Sequence, residues 1–381
     1  MVSSLNERLT GSATLRITSE VSKLAKSGKK VYNFGIGEPD FTTPGNIIEE
    51  AFKYAEEGKT HYTPSKGIPE LRQQISKRLL EKNRIRVSPD NIIVTPSKFS
   101  IYITILCIIE PGDSVMLFDP YYLTYPDIIR LAGGKVVSVP TGGNYEIDFD
   151  LAQKLINPTV KAVIFNSPSN PTGKVYSPDT VMKLAEFVSR NDLYLISDEI
   201  YDEILYEGTL LSPGSLPEIA DRTITLNGFS KSHAMTGWRV GYMAASKDII
   251  DLADKIQQAT ITCDPSISQY AALAALSDEV SPKKMRDEFL KRRDLVDSIL
   301  SKSRSIEYYK PQGAFYVFVG FKKTVDTDEL AVSLLRDESV SMTPGSAFGE
   351  LGKGHLRISF ATSNEDITEG LSRFVRYVDR I

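Results

Sequence analysis

The chain has 381 residues, more than one compact core of ordinary size holds, so two domains are expected. Hydrophobic residues at 41% and charged residues at 25% exclude a disordered or fibrous chain. Lysine and arginine (45) nearly balance aspartate and glutamate (49) without forming a basic block, so nucleic acid is not expected as a partner. Cys107 and Cys263 are too few for a disulfide framework and lack the spacing of a zinc site, so both are read as small buried hydrophobes in a reducing compartment. No metal is expected. Residues 1–10 hold no signal-like apolar stretch, and no run approaches the ~20 apolar residues of a membrane helix, so the expected location is the cytoplasm.

In chain order, the first 44 residues contain a loop-like Gly35-Ile36-Gly37-Glu38-Pro39-Asp40. Between about residue 92 and residue 243, short β-branched runs alternate with longer amphipathic stretches, the pattern of an α/β fold with a parallel sheet covered by helices. The runs are Ile92 to Thr95, Val115 to Phe118, Lys135 to Val139, Ala162 to Phe165, Leu193 to Ile196, Thr223 to Leu226 and Val240 to Met243. Open α/β sheets bind ligands at the carboxyl ends of their strands, and polar residues follow these runs. They include Pro96-Ser97-Lys98, Asp119-Pro120-Tyr121-Tyr122, Asn166 to Gly173, Ser197-Asp198-Glu199-Ile200-Tyr201 and Asn227-Gly228-Phe229-Ser230-Lys231. After Ala271 come a charged helical stretch, Pro282 to Ser301, a strand-like run, Ala314 to Val319, and a final helix from Glu365. The expected division is a large domain, 45–277, inserted between 1–44 and 278–381, which form a smaller α+β domain with an N-terminal arm.

Most lysines are solvated surface charges, but Lys231 sits in a Gly/Ser-containing loop just past a strand, with Arg239 eight residues on. A lysine held among other cations loses its proton readily, and the free amine attacks an aldehyde. Asp198 ends an apolar strand, where an aspartate either caps the next turn or pairs with a buried cationic nitrogen. Tyr201 falls on the same face if a helical turn follows. Asn170 lies in a segment that is a turn by composition, yet it has an amide to offer a phenolic oxygen. Ser97 and Lys98 open the helical stretch Ser100 to Ile109, and helix starts present free N–H groups that suit phosphate.

Taken together, these residues make the sequence resemble the class I, fold-type I pyridoxal 5'-phosphate (PLP) aminotransferases, nearest to the prokaryotic aspartate aminotransferases. The motifs are Asn33 to Asp40, His61-Tyr62-Thr63-Pro64-Ser65-Lys66-Gly67, Asn170-Pro171-Thr172-Gly173, Ser197 to Tyr201, Ser230-Lys231 with Arg239, and His355-Leu356-Arg357-Ile358-Ser359. The resemblance implies a mostly parallel seven-stranded sheet flanked by helices, with Lys231 carrying the cofactor as a Schiff base and serving as the proton-transferring base. It implies that Asp198 pairs with the pyridine nitrogen, that Asn170 and Tyr201 contact the ring hydroxyl, and that Ser230, Arg239, Ser97 and Lys98 hold the phosphate. Tyr122 falls where the family stacks an aromatic ring on the cofactor, often tryptophan. Tyr62 is implied to reach the site of the neighbouring subunit in a homodimer. Arg357, assisted by Gly37 and Asn170, is implied to grip the substrate carboxylate. Pro96-Ser97-Lys98 is one residue shorter than the family's usual phosphate-binding start, which leaves the local backbone path open.

Gly11-Ser12-Ala13-Thr14 resembles a segment that lines the side-chain pocket of aspartate-type relatives, while Phe99 to Ile109 offers no cation for a distal carboxylate. The expected reaction is ping-pong transfer from an L-amino acid, aspartate first, to a 2-oxo acid, 2-oxoglutarate first. Aromatic or broad specificity, or a PLP lyase or decarboxylase on the same scaffold, are the alternatives.

Overall fold

The computed structural model describes residues 29–380, so Gly11 to Thr14 lie outside the described residues. A short strand, β1 (Tyr32–Asn33), precedes the main sheet. Its strands are β2 (Ile92–Val94), β3 (Ser114–Asp119), β4 (Lys135–Pro140), β5 (Val160–Asn166), β6 (Tyr194–Asp198), β7 (Thr223–Gly228) and β8 (Gly241–Ala244). They are hydrogen-bonded in the order β2-β8-β7-β6-β5-β3-β4, and each coincides with one of the seven apolar runs. β3, β7 and β8 are buried at every residue, as near-continuous apolar strands are when both faces are covered.

One strand departs from the parallel pattern. β8 runs antiparallel to both neighbours, β2 and β7, while the other pairings are parallel. Its reversed direction brings the residues just ahead of it to the rim where the parallel strands end. Arg239 thereby joins the residues that follow β5, β6 and β7.

The C-terminal part contributes β9 (Ile306–Tyr308), β10 (Tyr316–Phe321), β11 (Val340–Ser341), β12 (Thr343–Pro344) and β13 (His355–Ser359). Four of these form an antiparallel sheet, β12-β13-β10-β9, and β11 pairs in parallel with β1 through Tyr32↔Val340 and Asn33↔Ser341. Helix Val280–Leu300 and helix Asn364–Val378 share one apolar cluster with this sheet and with Tyr32 and Phe34. The last helix shows why such segments fold. Ser363 caps it by accepting from the Asp366 N–H at 3.1 Å, Glu365 and Asp366 stand in its first turn, and Arg376 stands in its last. Ile367, Leu371, Phe374 and Val378 repeat at helical spacing on its buried face.

The cysteine expectation needs correction. Cys107 and Cys263 are both free and only partly buried. Burial still pushes the Cys107 thiol up to about 12. None of the helices among the described residues is long and apolar enough to cross a membrane.

Candidate active site

A cavity of about 620 Å³ opens at the carboxyl ends of β5, β6 and β7. Lys231, Asp198, Tyr201, Asn170, Ser230, Arg239, Ser97, Lys98, Tyr122, Arg357 and Gly37 all line it, although they span the chain from residue 37 to residue 357. Of the expected site residues only Tyr62 does not line this cavity, and its side chain is 87% exposed.

Lys231 follows β7, and its Nζ donates to the Gly37 carbonyl at 2.7 Å. Burial brings its ammonium down from 10.5 to about 8; Glu38 opposes the shift, while Arg357, Arg239 and Lys98 add to it. At pH 7 about a tenth of the side chain is then a free amine, the state that adds to a carbonyl, against less than a thousandth for a solvated lysine.

Asp198 ends β6 and caps the turn that follows, the first of its two sequence readings. Its Oδ1 accepts from the Ile200 N–H at 3.3 Å, as a turn cap does, and its Oδ2 accepts from the Tyr125 hydroxyl at 2.7 Å. Burial raises its pKa above the usual carboxylate value; the Tyr125 and Ile200 hydrogen bonds and the Lys231 charge oppose the rise. The turn after β6, closed by Asp202 N–H to Glu199 carbonyl at 2.9 Å, brings Tyr201 back to the same cavity. There the Tyr201 hydroxyl lies 2.9 Å from that of Tyr316.

Arg357 lies on β13 between Phe318 of β10 and Thr343 of β12 and is 2% exposed. Nη2 donates to the Gly35 carbonyl at 2.7 Å and to Thr343 Oγ1 at 3.3 Å, while Nη1 donates to Asn170 Oδ1 at 3.2 Å. The rings of Tyr316 and Phe348 sit 4.7 and 5.0 Å from its guanidinium carbon. Among the described residues its Nε has no hydrogen-bond partner, and its terminal nitrogens donate to an amide, a carbonyl and a hydroxyl rather than to a carboxylate. A buried, oriented guanidinium without a counter-ion is a receptor for a carboxylate. Because Asn170 accepts from Arg357, its own amide N–H groups remain to donate elsewhere.

The end of the cavity that holds Ser97 and Lys98 is built on helix Ser97–Ile108, which starts three residues earlier than expected. The short loop runs straight into the helix, with Pro96 at its N-cap and Ser97 as its first residue. Gly228 and Gly241 face each other across β7 and β8, and a Cβ on either would stand 2.5 or 2.3 Å from Ser97 Oγ. The missing side chains let the helix start seat directly on the strands. Ser97 Oγ is buried without a partner, and the first-turn N–H groups have no intrahelical acceptor. Lys98 Nζ lies 5.9 Å from the centre of the Tyr122 ring, and Arg239, held at φ 56°, donates from Nη1 to the Thr236 carbonyl at 2.7 Å.

Sequence reasoning missed Tyr125, Tyr316, Thr343 and Asn166, whose Nδ2 donates to the Asp198 carbonyl at 2.9 Å. Of these only Asn166 carried a local signal, opening the polar segment that follows its strand.

The family model described as aminotransferase class I and II matches residues 29–374. The chain is 41% identical over 360 residues to a probable aspartate aminotransferase of Methanocaldococcus jannaschii, covering 92% of this chain and 94% of that relative. It is also 41% identical over 367 residues to the (5-formylfuran-3-yl)methyl phosphate transaminase of the same organism, covering 96% of each. Among solved structures, the aspartate aminotransferase of Thermus thermophilus with maleate matches at a TM-score of 0.94 and 35% identity over 99% of both chains.

Proposed function

Because the chain belongs to the class I and II aminotransferase family, we propose that it is a PLP-dependent enzyme transferring an amino group from an L-amino acid, aspartate first, to a 2-oxo acid, 2-oxoglutarate first. The observation that carries this reading is one cavity holding a lysine amine brought down to about 8, a buried carboxylate and a buried guanidinium free of a counter-ion.

The residues present fit the cofactor. Ser97 Oγ is a buried hydroxyl lacking a partner, beside Lys98, Ser230 and Arg239, which together make a site for a phosphate dianion. Bound there, PLP supplies a protonated pyridine ring that accepts the electron pair left when the Cα proton departs. Asp198 holds the proton on the ring nitrogen, and Tyr125 and the Ile200 N–H fix that carboxylate in place. Lys231 Nζ would hold the cofactor's carbonyl carbon, and its free amine would take and return the Cα proton, a division of roles that goes with ping-pong kinetics. Asn170 and Tyr201 would hold the phenolic oxygen, Tyr122 would cover the ring, and Arg357 with Gly37 and Asn170 would orient the substrate carboxylate. Tyr62, exposed and away from the cavity of its own chain, completes the partner subunit's site in a cytoplasmic homodimer. The division into 45–277 and a smaller domain of 1–44 with 278–381 belongs to the same reading; the pairing of β1 with β11 supports it.

The test is to load the purified protein with PLP, record its visible spectrum and titrate it with aspartate. Conversion of the band, with an equivalent of 2-oxo acid formed and reversal by 2-oxoglutarate, is the expected result. Release of ammonia or carbon dioxide without an amino acceptor would instead indicate a lyase or decarboxylase. Broad or aromatic donor use is the second reading; Ile36, Ile101, Leu123 and Ile200 on the cavity wall favour it. An aromatic amino acid converting the band faster than aspartate would establish it.

A further inference from the structure

Tyr201 has a single hydroxyl proton, and the proposed function commits that proton to the phenolic oxygen of the cofactor. A phenol donates once but also accepts, so the 2.9 Å contact with Tyr316 must then be made by Tyr316 donating to Tyr201. We propose that Tyr316 is a positioning residue that orients and polarises Tyr201 and so tunes the proton held next to Lys231. This inference rests on the proposed function.

The surroundings of Tyr316 suit that role. It is 1% exposed, so water does not compete for the contact. Gly37 leaves room for its hydroxyl, since a Cβ at that position would stand 2.6 Å from the oxygen. Its ring packs at 4.8 Å from Phe315 and edge-on at 5.8 Å from Tyr201, which fixes the direction of the hydroxyl. The charged and titratable groups facing it are Arg357, Tyr201, Tyr122 and Glu38. Burial raises the Tyr316 hydroxyl to about 12, so it keeps its proton and can donate it to Tyr201, while Arg357 over the ring opposes the rise.

A hydrogen bond accepted by the Tyr201 oxygen strengthens the one its proton donates. A stronger donor on the cofactor's phenolic oxygen weakens that oxygen's hold on the proton of the neighbouring Lys231 nitrogen. Removing the Tyr316 hydroxyl therefore makes that proton leave at higher pH.

The experiment compares PLP-loaded wild type, Y316F, Y201F and the double variant by visible absorbance across pH. The Y316F midpoint is expected to rise by roughly half a unit to one unit, the scale of one net hydrogen bond. In the Y201F background the Y316F change should add nothing, because its effect passes through the Tyr201 oxygen. An unmoved Y316F midpoint, or an equal shift without the Tyr201 hydroxyl, overturns the inference. Should Y316F fail to fold, Tyr316→Leu also removes the hydroxyl, and an unmoved midpoint there likewise counts against it. A wild-type protein that gains no pH-dependent band overturns the proposed function and this inference together.

Discussion

Lys231 and Asp264 are burial effects of opposite sign. Lys231 falls from 10.5 to about 8, so between those values the unfolded chain binds more protons than the folded one. Stability of the cofactor-free protein therefore rises with pH across that window, and the cost of burying the ammonium is full below pH 8. Lys231→Met is expected to stabilise the cofactor-free protein by about 1–3 kcal/mol at pH 7, with the gain fading by pH 10.5. Urea denaturation at both pH values measures it, and a gain independent of pH would contradict the assignment. Asp264 is fully buried with both carboxyl oxygens unpartnered; burial lifts it from 3.8 to about 8, with Arg239 opposing. Here the folded state binds the extra proton, so stability falls as pH rises from 3.8 towards 8. Asp264→Asn should raise the unfolding free energy by an amount that grows between pH 5 and pH 8, reaching at least about 1 kcal/mol, read by urea denaturation at both pH values. An offset equal at both pH values would rule this out. At this scale the motif residues were legible because each lies at a strand end or beside a turn signal. Tyr125 and Tyr316 were not, because their partners Asp198 and Tyr201 are 73 and 115 residues away in the chain.

Elements, unlike partnerships, announce themselves locally. The seven apolar runs were readable because buried strands are short, β-branched and bounded by turn residues. The direction of β8 was not, since four buried residues read the same either way and only the connection decides. The turn after β5 shows how elements are joined by what is absent. Gly173 adopts φ 68°, and its carbonyl accepts from the N–H groups of Gln312 and Gly313 at 2.9 and 3.1 Å. A Cβ there would stand 2.5 Å from Pro311 Cβ and 2.8 Å from the Tyr316 carbonyl. The contact ties the Asn170 turn to the start of β10, which carries Tyr316. Gly173→Ala thus combines left-handed strain with a backbone clash and is expected to destabilise by roughly 2–4 kcal/mol. Thermal unfolding reads the loss. A variant as stable as wild type would mean that the two segments are not rigidly joined.

For the whole molecule, the decisive question is whether one chain makes a complete site. The cavity gathers residues from most of the described chain, yet Tyr62 stays outside it with its ring in solvent. If Tyr62 serves the partner subunit, Tyr62→Ala and Lys231→Ala should each abolish or strongly reduce turnover alone but complement when mixed. In a hybrid dimer, the site with an intact Lys231 receives an intact Tyr62 from the other chain, while the second site carries both lesions. Random reassortment makes half the dimers hybrid with one working site each, so activity should recover to about a quarter of wild type. If Tyr62 instead acted within its own chain, every hybrid site would hold one lesion. Mixing, unfolding and refolding the two variants together, then assaying against the unmixed controls, separates the cases. Recovery absent in a mixture shown by mass to contain hybrids would place Tyr62 in the site of its own chain.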